Sequence, residues 1–166
     1  VRLRAIGRLD DLPADALAAL RETERLTADN RGMQLRLALT YGGRAEIADG
    51  IRRIAEEERA RRLDPADVHE ETLRAYLYDP GTPDPDLMIR TAGEMRISNF
   101  LLWQVSYSEL YVADVCWPEF RKPQLLEALR DYARRVRKFG GLVEDVAPPR
   151  AEPEGATPAA RSERGA

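Results

Sequence analysis

Asp86-Leu87-Met88-Ile89-Arg90-Thr91-Ala92-Gly93-Glu94-Met95-Arg96-Ile97-Ser98-Asn99-Phe100 is the stretch on which the reading of this chain turns. Leu87-Met88-Ile89 is a short continuous apolar run, the pattern of a strand covered on both faces. It runs directly into two arginines, a glycine and a serine. The planar fork of an arginine bridges neighbouring oxygens of an anion with paired charge-assisted hydrogen bonds, so Arg90 and Arg96 suit a diphosphate. Gly93 lets the backbone bend close to a ligand. Ser98 stands where a helix is expected to begin after Ile97, so its hydroxyl and the free amides of a first turn would add neutral donors. The same residues also fit a plainer role, two arginines in surface salt bridges with a serine cap.

The regions on either side supply the fold. Val1-Arg2-Leu3-Arg4-Ala5-Ile6 already alternates like a strand, with no flexible lead, so the chain is expected to begin within a fold. Asp10, Asp11 and Pro13 are start signals for a helix that carries Leu17 and Leu20 inward and runs to about Thr27, where Asn30 and Gly32 end it. Met33, Leu35, Leu37, Leu39 and Tyr41 then alternate with polar or small residues as a second strand, closed by Gly42-Gly43. Ile47, Ile51 and Ile54 recur at helical spacing through Arg62. Leu63-Asp64-Pro65 breaks that helix. A short one is expected from Glu70 to Tyr78, and Pro80, Gly81, Pro83 and Pro85 make a surface loop before the strand at Leu87. Leu125, Leu129, Tyr132, Val136 and Phe139 trace one stripe on a last helix, which Gly140-Gly141 stops. From Ala147 the composition is Pro, Ala, Glu, Arg and Ser without periodicity, so residues 147–166 read as a disordered tail behind a domain of residues 1–146. Strands alternating with helices predict an α/β fold with a mostly parallel sheet flanked by helices, in which ligands bind beyond the C-terminal ends of strands. Arg90 is at such an end.

Composition narrows the function classes. With 166 residues, 43% of them hydrophobic, the chain can build one core. A net charge of -3, from 29 acids and 26 bases well mixed along the chain, argues against general affinity for nucleic acid. The lone Cys116 excludes an internal disulfide framework and is read as a small buried hydrophobe. No apolar run approaches the roughly 20 residues that span a bilayer, and no leader opens the chain, so a cytoplasmic protein is expected. Phosphate-loop, dinucleotide and nucleophile-elbow motifs are lacking. His69-Glu70 begins like a zincin helix, but Leu73 stands where the second histidine is required, and His69 reads as a surface residue. Trp103, Tyr107, Tyr111 and Trp117 are dense enough for an apolar wall, in the core or at an interface.

Taken together, Arg90-Thr91-Ala92-Gly93-Glu94-Met95-Arg96-Ile97-Ser98-Asn99-Phe100, then Tyr107-Ser108-Glu109-Leu110-Tyr111 and Trp117-Pro118, resemble the C-terminal signature of the cis-prenyltransferases, the undecaprenyl diphosphate synthase or isoprenyl transferase family. Val1 to Gly7, Leu26-Thr27-Ala28 and Tyr41-Gly42-Gly43-Arg44 look like earlier family segments in the expected order. The resemblance implies a transferase that condenses isopentenyl diphosphate with an allylic diphosphate such as farnesyl diphosphate, forming a cis double bond. It implies that Arg90, Arg96 and Ser98 bind the diphosphate of isopentenyl diphosphate, that Glu109 is a ligand of Mg2+, and that the enzyme is a homodimer with peripheral membrane contact for product release. In the resembled family a side chain at the start of the second strand can floor the hydrocarbon tunnel, a place that falls on Met33.

Departures from the family pattern are few. Thr40 replaces a usual asparagine, Met95 replaces His or Gln and so cannot relay a proton, and Lys138-Phe139-Gly140 replaces Arg-x-Gly, losing the bidentate fork. The family's D-G-N-G-R-W and F-S-x-E-N-W segments, the first carrying the essential catalytic aspartate, are not in this sequence. The expectation is therefore a C-terminal portion with little activity by itself. The alternative is a non-catalytic partner subunit of a heteromeric enzyme.

Overall fold

A computed structural model describes residues 1–136; Phe139, the Lys138-Phe139-Gly140 segment, the Gly140-Gly141 stop and the tail from 147 lie outside the described residues. Among the described residues, four strands and four helices follow one another as β1 (Arg2–Ile6), α1 (Ala14–Leu26), β2 (Gln34–Ala38), α2 (Gly43–Arg59), α3 (Glu70–Ala75), β3 (Leu87–Arg90), β4 (Glu109–Val112) and α4 (Lys122–Arg134), with single 3-10 turns at Leu9–Asp11, Pro65–Asp67 and Trp117–Glu119. Both strand pairings are parallel: β1 and β2 are joined by a crossover through α1, and β3 and β4 by the turns of residues 91–108. β1 lies against β2 with Arg2 opposite Gln34 and Ile6 opposite Ala38, while β3 lies against β4 with Leu87 opposite Glu109 and Arg90 opposite Val112.

Helix α1 covers the open edge of β1 with side chains. The Leu3 amide donates to Thr27 Oγ1 at 3.0 Å and the Ala5 amide to Glu24 Oε1 at 2.9 Å, so two edge donors that would otherwise invite another strand are satisfied internally. Gly50 on α2 allows close approach to α3: an added Cβ would sit 3.3 Å from Leu73 Cδ1 and from the Tyr76 carbonyl. Arg53 fixes the same contact by donating to the Tyr76 carbonyl at 3.0 Å. Among the described residues, Ile6, Leu77, Ala113 and Ala128 are the buried apolar ones.

Glu46 is the exception in that core, a charged residue only 1% exposed. It accepts from the Tyr41 hydroxyl at 2.5 Å, the Tyr78 amide at 3.0 Å and Gln104 Nε2 at 3.2 Å. Three donors replace the water the carboxylate gives up. Burial, and then the bond to Glu46, pushes the Tyr41 hydroxyl far above its ordinary pKa.

Several expectations need correction. Helix α4 ends at Arg134 rather than near Gly140, and Val136, placed on its stripe, lies past the end and is 70% exposed. Arg135 leaves helical geometry, with φ -79° and ψ 139°, and its guanidinium pairs with Glu109 and Asp131. Cys116 is exposed, because it precedes the Trp117–Glu119 turn on the surface. Ile51 is exposed while Ile47 and Ile54 are half-buried, so the α2 stripe is narrower than its isoleucines suggest. No helix begins at Ser98: residues 98 to 107 form successive turns.

Candidate functional site

Arg90 closes β3, and the following loop is tied to the continuation of β4. The Ala113 amide donates to the Arg90 carbonyl at 2.7 Å, the Ala92 amide to Val115 at 2.8 Å and the Gly93 amide to Ala113 at 3.0 Å. Ala92 and Gly93 both have positive φ, 64° and 65°. Such a reversal is costly for alanine and free for glycine, and it sends the chain back across the strand ends. The loop returns with Glu94 between the two arginines. One Glu94 oxygen pairs with Arg90 Nη2 and the other accepts from Arg96 Nη2 at 2.5 Å. Arg90, then Arg96, hold the Glu94 carboxyl below its ordinary pKa.

The structure thus brings Arg90 and Arg96 within the span of one carboxylate. Arg90 Nε is buried and without a hydrogen-bond partner, a donor left over for an incoming acceptor. Ser98 sits two residues beyond Arg96 in an exposed turn, and its φ of 48° with that of Asn99 at 63° makes both central positions left-handed, as in a type I′ turn. The Phe100 amide closes this turn on the Ile97 carbonyl at 3.0 Å. The Asn99 contacts, with its Oδ1 taking the Arg44 amide at 2.9 Å, were not foreseen in the sequence.

An apolar cleft of about 360 Å³ adjoins Arg90, walled by Met88, Thr91, Phe100, Leu101, Val105 and Trp117 among others. Pro85, Phe100 and Leu101 are shared with a second cleft of about 200 Å³ that reaches Ile6, Ala38 and Gln104. A guanidinium in the lining with apolar walls beside it suits an amphiphile with a charged head. Trp103 is half-buried, whereas Tyr107 and Trp117 are 78% and 75% exposed, and the Trp117 ring stacks on Phe120 at 6.3 Å.

Glu109 is not brought to this place. It opens β4 opposite Leu87, three residues below Arg90 in the paired strand, which is roughly 10 Å along the strand. Its carboxylate takes Arg135 Nη1 at 2.7 Å. No group of three or more potential metal-ligating side chains occurs among the described residues. Glu109 is a single carboxylate paired with Arg135, and magnesium takes one or two carboxylates with phosphate and water oxygens, so Glu109 would hold it only with help from other ligands. Met33, the expected tunnel floor, is 67% exposed beside the start of β2. Among the described residues, no helix is long and apolar enough to cross a membrane.

Residues 1–140 match the family model of undecaprenyl diphosphate synthase, and the chain belongs to that family. It is 50% identical over 140 residues to the tritrans,polycis-undecaprenyl-diphosphate synthase (geranylgeranyl-diphosphate specific) of Methanopyrus kandleri, covering 84% of this chain and 52% of that protein. To an isoprenyl transferase of Thermus thermophilus it is 51% identical over 144 residues, covering 84% and 55%. Lavandulyl diphosphate synthase from Lavandula x intermedia, solved in complex with dimethylallyl diphosphate, superposes with a TM-score of 0.81 at 40% identity, over 84% of this chain and 60% of that one. The chain spans about half the length of the curated relatives it matches.

Proposed function

We propose that this chain carries the isopentenyl diphosphate site of a cis-prenyltransferase, in which Arg90, Arg96 and Ser98 hold the diphosphate of the substrate that is added. The observation that carries the reading is the pair of arginines converging on Glu94 beside an apolar cleft, with Arg90 Nε buried and unpartnered. A diphosphate oxygen would take over the position of the Glu94 carboxylate and also receive Arg90 Nε, while the short isoprenoid chain lies along Met88, Phe100 and Leu101. Both arginines remain charged throughout, so the site binds and orients its anion without moving a proton. The allylic partner, such as farnesyl diphosphate, and the formation of the cis double bond belong to the same reading. So do a homodimer and peripheral membrane contact for product release.

Mg2+ enters this reading through the family alone, with Glu109 as the expected ligand. Bound beside a diphosphate, it would neutralise phosphate charge. Glu109 would need further ligands to hold the ion, and the grip of the arginines on the diphosphate does not depend on it. Calorimetric titration of isopentenyl diphosphate tests the site. Arg90→Lys and Arg96→Lys should each weaken binding at least tenfold, and Ser98→Ala only a few-fold, since a charged donor to an anion contributes roughly 1.5–3 kcal/mol against roughly 0.5–1.5 for a neutral one. Unchanged binding in both arginine variants would place the pocket elsewhere.

The second reading, a non-catalytic partner subunit, is favoured by one observation, the engagement of Glu109 by Arg135. Glu109→Gln decides between them when the chain is assayed within an assembly active in prenyl transfer. A raised magnesium requirement supports the metal-ligand role, and unaltered magnesium dependence supports the partner subunit.

A further inference from the structure

We propose that Asn99 is a positioning residue that latches the loop bearing Arg96 and Ser98 onto the N terminus of α2, and so sets the shape of the diphosphate pocket; this rests on the reading of that loop given above. The turn at Ser98 and Asn99 has positive φ at both central residues, 48° and 63°. Asparagine tolerates that region and serine much less so, so contacts outside the turn must hold it. They converge on Asn99. Its carbonyl accepts the Gly43 amide at 2.7 Å and its Oδ1 accepts the Arg44 amide at 2.9 Å. Two of the four amides that a helix leaves unsatisfied at its start are thereby met by one residue far along the chain. Gly42, at the N-cap of α2, supplies no side-chain acceptor of its own.

The glycine pair is shaped to this contact. A Cβ on Gly42 would lie 2.7 Å from Asn99 Nδ2, and one on Gly43 would lie 2.8 Å from Leu102 Cγ and 2.9 Å from the Leu102 nitrogen. Gly42 is in extended backbone, φ -159°, which any residue adopts, so it is space and not conformational freedom that excludes a side chain there. Tyr41 adds an edge-on contact to Phe100, ring centroids 5.8 Å apart. The positive end of α2 is therefore spent on the loop and not on a ligand. The anion meets the side chains that the latched loop presents.

The 166-residue chain is titrated with inorganic pyrophosphate by calorimetry, and amide hydrogen exchange is followed at Gly43, Arg44 and residues 96–101. Asn99→Gly keeps the freedom for positive φ and removes Oδ1; Gly42→Ala pushes on the latch from the other side; Asn99→Asp keeps the acceptor. Asn99→Gly and Gly42→Ala are each expected to weaken pyrophosphate binding roughly tenfold, the loss of about one hydrogen bond's worth of positioning. Exchange should quicken in both segments. The double variant should be no weaker than the worse single one, since both break the same contact. Asn99→Asp should restore slow exchange at Arg44. Faster exchange at Gly43 and Arg44 with native pyrophosphate affinity would mean a helix cap and nothing more, and would overturn the latch. Arg90→Lys and Arg96→Lys separate the two failures. If they weaken binding while Asn99→Gly does not, only the latch is wrong. If they too bind as the native chain does, or if the native chain binds no pyrophosphate, the diphosphate assignment falls and the latch falls with it.

Discussion

Arg8 and Arg90 both stand at the C-terminal end of a parallel strand, yet they are in opposite conditions. Arg8 grips both oxygens of Asp49, with Nε and Nη2 at 2.9 and 3.0 Å, and Asp49 also takes the Tyr78 hydroxyl at 2.6 Å and Arg52 at 2.6 Å. Its hydrogen bonds with Arg8, then Tyr78, hold the Asp49 carboxyl well below the ordinary range, and the same bond raises Arg8. Arg90 instead shares Glu94 with Arg96 and keeps a buried Nε without a partner. A strand-end arginine is thus no sign of a ligand by itself. Unspent hydrogen-bonding capacity is.

The contrast breaks most decisively with alanine at each arginine. Arg90→Ala should weaken pyrophosphate binding by roughly 10- to 100-fold, the loss of charged donors worth roughly 1.5–3 kcal/mol, with little change in melting temperature. Arg8→Ala should do the reverse, lowering the melting temperature and leaving affinity intact. Equal effects on binding would erase the distinction. Acid offers a second way to separate the two clusters. A carboxyl whose pKa is lowered on folding stabilises above its unfolded value and loses that contribution as pH falls toward the folded one. For Asp49 the loss begins below about pH 4, the ordinary aspartate value. Melting curves of the native chain and Asp49→Asn should converge as pH falls below that point.

A smaller effect is expected at Thr40, which holds φ 44° beside the Arg8 carbonyl. A β-branched residue in the left-handed region is strained by about 1 kcal/mol or more, so Thr40→Asn should raise the melting temperature by roughly 2–4 °C, provided the amide replaces the hydroxyl's bond to Arg8. Thermal unfolding by circular dichroism measures it. Smallest is Glu109→Gln. It loosens a half-exposed pair with Arg135 and should cost no more than about 1 kcal/mol of stability, as half-exposed pairs do. A larger fall in melting temperature would show that α4 hangs on this pair.

Most elements were legible because they depend on local periodicity. α1 matches its expected span to within a residue of Thr27, and β3 runs into Arg90 as the apolar run Leu87-Met88-Ile89 implies. What failed were features decided at a distance. A serine after an apolar residue looks like a helix cap, but Ser98 lies in a turn with Asn99, whose side chain accepts from the Arg44 amide 55 residues back. Past the end of α4, Arg135 pairs with Glu109, 26 positions away in sequence, which no local pattern shows. Thr40 was visible only as a departure from asparagine. Its positive φ supplies the physical reason asparagine suits that place. The convergence of Arg90 and Arg96 on Glu94 could have been read from the single intervening acid, since a loop with two cations and one anion has few other ways to pair.

The buried Glu46 has a kinetic consequence. Its partners are 5, 32 and 58 residues distant in sequence, so the carboxylate is desolvated only when the segments around Tyr41, Tyr78 and Gln104 have all arrived. Any partly assembled state in which one of them is missing strands a charge away from water, which is costly enough to depopulate that state. The stretch from Tyr41 to Gln104 is therefore bound to open and close as one cooperative block, and a single slow opening, shared by amides across that block, is the rhythm at which the arginine loop can be remade.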